Sequence, residues 1–117
     1  MKTGLVGEYL VFHDVTAEHD TEKALLVRVS MRQIDESRVS GIIRKARATG
    51  NFILLDDAWV RGYFDRNGVE VWVPKSQVHP RSPVRRDGDR GDLILTEWIV
   101  DQNGLNADAY FDGAFVI

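Results

Sequence analysis

The chain has 117 residues, 44% of them hydrophobic, which suits one packed core and argues against both disorder and a second domain. It has no cysteine, so disulfides, thiolate catalysis and cysteine-ligated metal centres are excluded, and a reducing compartment fits. Its formal net charge of −3 argues against a sequence-independent nucleic-acid binder, whose domain is usually strongly basic.

The charge is segregated along the chain. Residues 32–47 and 75–90 each carry five basic and two acidic side chains, while residues 92–117 carry five acidic and no basic ones. Such segregation can build a basic face on an acidic protein. No secretory leader opens the chain and no run is long enough to span a bilayer, so a cytoplasmic protein is expected.

Leu5 to Phe12 is apolar apart from Glu8 and reads as a strand. Asp14 to Thr21 is polar and reads as a loop. Ala24-Leu25-Leu26-Val27-Arg28-Val29 is a second strand, its near-continuous apolar run placing it centrally. A helix starts near Asp35, with Asp35 or Ser37 as cap and Glu36 in the first turn. Val39, Ile42, Ile43 and Ala46 form its apolar stripe, and Gly50 stops it. Phe52 to Leu55 reads as a short strand and Asp56-Asp57 as the start of a turn. Ala58 to Phe64 fits a helical turn or a bent strand equally. Asn67-Gly68 is a hairpin signal ahead of the alternating strand Val69 to Val73, which Pro74 ends.

His79 to Gly91, with two prolines and two glycines, is expected to be an exposed loop. Leu93 to Thr96 is a strand, and Glu97 to Gln102 a helical turn closed by Asn103-Gly104. Ala109 to Ile117 reads as a last strand. The expected fold is α+β, mostly β: a small open barrel or a curled antiparallel sheet with one amphipathic helix, in a single domain spanning residues 1–117.

No motif assembles a catalytic set. His13-Asp14 and His19-Asp20 carry metal-ligand chemistry, but they fall on a predicted loop and read as solvent-exposed turn residues. Asp56-Asp57 has no Glu-x-Lys partner of the kind a nuclease uses. There is no Gly-x-Ser-x-Gly elbow, phosphate-binding Gly-Lys loop or dinucleotide fingerprint, so no cofactor is expected. Trp59, Trp72 and Trp98 lie in three different elements. They read as core residues, although aromatics on a sheet beside cations are also how single-stranded nucleic acid is stacked.

Three segments are familiar in combination: Lys23-Ala24-Leu25-Leu26-Val27, then Val69 to Val78 with the run Val71-Trp72-Val73-Pro74-Lys75-Ser76-Gln77, then Glu97-Trp98-Ile99 with Gly104-Leu105. Together they resemble a signature of small β-barrel proteins from phages and other mobile elements, over about a third of the chain. The resemblance implies a short barrel module in which residues 30–64, with the helix, are an insertion. Such an insertion is where a partner surface would be built.

The function expected is a non-catalytic protein-binding module of phage or mobile-element origin, with inhibition of a host defence complex as a candidate role. A nucleic-acid-binding small barrel is the alternative. Either would use Arg38, Arg44, Lys45 and Arg47 on the helix, or Lys75, Arg81, Arg85, Arg86 and Arg90 in the second basic segment. The sequence leaves monomer and homodimer both open.

Overall fold

A computed structural model describes residues 9–49, 52 and 55–111. It is an α+β fold built on an antiparallel sheet that curls without closing into a barrel. Strands β1 (Tyr9–Asp20), β2 (Ala24–Val29), β3 (Val69–Pro74) and β4 (Arg90–Thr96) lie in the order β3-β2-β1-β4. A short β5 (Ala109–Tyr110) pairs with the first half of β1. Helices α1 (Glu36–Arg47) and α2 (Asp57–Asn67) connect β2 to its neighbour β3, and α3 (Glu97–Gln102) follows β4 directly.

Strand alternation sets the core. Leu25, Val27 and Val29 of β2 and Val69 and Val73 of β3 point inward, where they meet Phe12, Val15, Leu93 and Leu95. Val39 and Ile43 of α1 and Val60 of α2 close the same cluster. A fully buried side chain of this size contributes about 1.5–3 kcal/mol.

The expected loop from Asp14 to Thr21 is instead the second half of β1. Two bulges explain why the alternation was hidden. One extra residue sits between Phe12 and Val15 opposite β4, and another between Ala17 and His19 opposite β2. Each bulge turns two consecutive side chains outward, His13-Asp14 and Glu18-His19, while Phe12, Val15 and Ala17 stay buried. Asp14 absorbs the first bulge with φ of 57°, in the left-handed region.

The helices start as their caps dictate. Asp35 accepts from Ser37 N, Asp56 from Trp59 N, and Thr96 from Ile99 N. Asp56 thus opens α2, resolving the stretch from Ala58 to Phe64 as helix. Asn67-Gly68 is not a hairpin turn but the end of that helix. Gly68 has φ of 80°, its N–H donates to Phe64 O, and a Cβ there would lie 2.8 Å from Val29 O. Phe52 and Leu55 are not in a strand; Gly50, Ile53 and Leu54 lie outside the described residues, as do Leu5 to Glu8 and the end of the predicted last strand.

The segment from His79 to Gly91 is less exposed than its composition suggests. Ser82 and Val84 are buried, and the chain there covers the outer edge of β4. His79 N donates to Ile94 O, Val84 N to Asp92 O, and Ile94 N to Ser82 Oγ.

Candidate functional site

The structure disperses the basic residues of the two charge-rich segments. Arg47 pairs with Asp57 at 2.7 Å, Arg90 with Asp14 at 3.2 Å, and Lys75 with Asp20. Arg85 and Arg86 are exposed, and their backbone N–H groups both donate to the Asp89 carboxylate. These contacts hold the Asp89 pKa below its ordinary value. Arg81 is exposed in the same segment. Arg38, Arg44 and Lys45 stand on the solvent side of α1, away from the Val39–Ile43 stripe, and make no ion pair among the described residues.

The tryptophans depart from expectation. Trp59, Trp72 and Trp98 are 46%, 49% and 59% exposed rather than core. For Trp72 the reason is the strand period. Val69 and Val73 take the inner face of β3, and Val71 packs against the core, so Glu70 and Trp72 point outward. Trp59 packs against Tyr63, one turn further along α2, with ring centroids 5.9 Å apart and planes 15° apart; Phe52 lies against both.

On the outer face of the sheet the pairing registers build a platform. His19 is opposite Leu26, and Leu26 opposite Trp72, so the three form one row across three strands. The His19 ring meets Trp72 edge-on at 6.1 Å. The neighbouring row holds Arg28 opposite Glu70, and Arg28 bonds both Glu18 at 3.1 Å and Glu70 at 2.9 Å. On the other side of the Trp72 row, Asp20 accepts from Lys75 Nζ and from Asp87 N. The Lys75 bond and the Asp87 N–H hold the Asp20 pKa below its ordinary value. The platform is therefore an aromatic and aliphatic row between two charged rims. Its two cations, Arg28 and Lys75, stand against three carboxylates, Glu18, Glu70 and Asp20, which leaves a net charge of −1.

The first His-Asp pair serves a different arrangement. His13 Nδ1 lies 2.9 Å from Asp92 Oδ1, and this hydrogen bond raises the His13 pKa above 6.5. Behind it, Asp108 accepts from His13 N and from Gln33 Nε2, each at 2.7 Å. Burial pushes the Asp108 carboxyl up, but those donors with Arg32 and His13 outweigh it and hold its pKa below the usual value. Gln33 is fully buried, and it also donates to His13 O and accepts from Ser30 N. This cluster fastens the first bulge of β1 to the chain on both sides. His13-Asp14 and His19-Asp20 are thus spent on separate contacts, and among the described residues no group of three or more metal-ligating side chains converges.

Sequence reasoning missed the outer-face row because the bulge at Glu18 cannot be read from one sequence. The alternation of Val69-Glu70-Val71-Trp72-Val73 was the signal that Trp72 would face outward. No protein-family model, no curated protein and no solved structure matches this chain.

Proposed function

We propose that the chain is a non-catalytic protein-binding module that docks a partner on the outer face of its sheet, with Trp72 as the anchor. The observation that carries this reading is the half-exposed Trp72 in its row with Leu26 and His19, flanked by charged rims. Tryptophan is enriched among the residues that dominate binding energy, and a polar rim that excludes water around it is the usual setting. The rim charge of −1 favours a protein surface with an apolar centre and basic margins.

The alternative, a nucleic-acid module, draws support from the same tryptophan lying on a sheet beside Arg28 and Lys75. Both cations are neutralised by carboxylates, which weighs against a phosphate backbone there. The resemblance to phage and mobile-element barrel proteins supports that origin, with a host complex as the partner class.

The test compares the immobilised wild-type chain with Trp72→Ala for proteins captured from a host lysate. Trp72→Ala should lose a partner that the wild type retains, by at least about tenfold, with an unchanged melting temperature. Equal retention by both proteins would refute the reading. Single-stranded DNA binding that is steeply salt-dependent and lost in Trp72→Ala would establish the alternative.

A further inference from the structure

The two outer edges of the sheet are finished differently. β3 and β4 end the strand order. The chain from His79 to Val84 covers β4, with His79 N donating to Ile94 O and Val84 N to Asp92 O. β3 has no such backbone cover among the described residues. A side chain, Asn103, reaches one of its edge carbonyls, Trp72 O, through Nδ2 at 3.2 Å.

That contact fixes which groups of β3 point away from the sheet. In an antiparallel pair, alternate residues turn both backbone groups toward the neighbouring strand. Lys75 N donates to Lys23 O, one residue beyond the Ala24–Pro74 pair, so Val73, Val71 and Val69 are the residues bonded to β2. Glu70 and Trp72 turn theirs outward. Glu70 N–H, Glu70 O and Trp72 N–H are left without a partner among the described residues. Donors and an acceptor in alternation, with about 7 Å between Glu70 and Trp72, are what the backbone of a further strand matches.

The edge opens onto a groove of about 280 Å³, lined by Val69 to Trp72 and by Ile34, Arg38 and Ile42. We infer that an extended segment of a protein partner lies in this groove and adds to the sheet as a strand along the free edge of β3. The inference rests on the docking of a partner at Trp72 and names what that partner presents. An added strand extends the row of His19, Leu26 and Trp72 by one side chain on the outer face, while its alternate side chains face Ile34 and Ile42. The unpaired backbone groups select a polypeptide, because phosphate oxygens only accept and leave Glu70 O unsatisfied. A second copy fits less well. Pairing β3 with β3 about a two-fold axis brings the Arg38 of one copy toward the Arg38 of the other, and Arg38 has no ion pair among the described residues to neutralise it.

The test selects a library of random twelve-residue peptides on the full chain, then titrates the enriched peptide against variants. Glu70→Pro deletes an outward N–H and leaves the β2 ladder intact, so it should weaken binding at least about fivefold. Glu70→Ala loses only the ion pair with Arg28 and should bind as the wild type does. A second readout is independent of the fold: N-methylation of alternate peptide residues should abolish binding in one of the two phases only, since one edge of a strand carries every second N–H. Failure to enrich any peptide, equal binding by Glu70→Pro and Glu70→Ala, or tolerance of both N-methylation phases would overturn the inference. Self-association of the wild type that Glu70→Pro abolishes would also overturn it, by giving the edge to a second copy. Trp72→Ala separates the two readings. Peptide binding lost in Glu70→Pro but kept in Trp72→Ala would refute Trp72 as anchor and uphold the edge; the reverse would uphold the anchor and overturn the edge.

Discussion

Gln33 shows how much a single polar side chain can fix. It is fully buried, and its amide meets three partners on three segments: Ser30 N, His13 O and the Asp108 carboxylate. Replacing it with leucine would keep the volume and orphan those groups, each of which costs about 1–3 kcal/mol when buried and unpaired. Gln33→Leu should therefore lose about 2–4 kcal/mol in urea unfolding, an amount typical of a broken buried network. A loss below 1 kcal/mol would mean that water replaces the amide. Nothing in the sequence marks this glutamine, because its partners are distant in the chain. The outward direction of Trp72, in contrast, is written in the valines on either side of it.

Among elements, α1 was the most legible. Its cap at Asp35, its apolar stripe and its late cations are all local signals, and the structure places each as expected. The helix α2 was ambiguous because its outward aromatics, Trp59 and Tyr63, mimic a strand, and β1 was cut short by bulges that no local pattern announces. Asn67-Gly68 misled for a physical reason: the left-handed geometry that suits a hairpin turn also suits a helix end. The interior glycine of α1 supplies the prediction at this scale. Since a Cβ at Gly41 meets nothing, Gly41→Ala should raise stability by about 0.5–1 kcal/mol, read as a higher urea midpoint with an unchanged slope. A lower midpoint would show that the backbone there departs from helical geometry.

For the whole molecule, pH dependence follows from groups on opposite sides of the sheet. Asp20, Asp89 and Asp108 all have folded pKa values below the 3.8 of a free aspartate. The unfolded chain therefore binds protons first, and the stability these carboxylates give above that value is lost as pH falls through their folded values. The two shifted histidines act oppositely. His13, raised by Asp92, adds stability that is present below 6.5 and lost as pH rises through its folded value. His79 is held low by burial between Tyr9 and Phe111 and by Arg81, so its contribution is present above 6.5 and lost as pH falls through its folded value. Thermal melts should thus vary little across neutral pH and fall steeply in acid, and Asp20→Asn should flatten the acid limb. An acid limb unchanged by that substitution would assign it to the other carboxylates.

The placement of β1 has a consequence for how the chain is made. This strand is the middle of the sheet, yet its pairings form at very different times. Thr16 pairs with Arg28 almost at once, whereas Tyr9 waits for Thr96 near the far end of the chain. During synthesis the β1–β2 hairpin can form early, but the edge of β1 that faces β4 stays open along its length, and the first half of β1 open on both sides, until β4 and β5 leave the ribosome. Closing so long a loop is the slow, entropically costly step of folding. A nascent or truncated chain ending before Arg90 exposes that edge, together with Phe12 and Val15, to pairing with other chains.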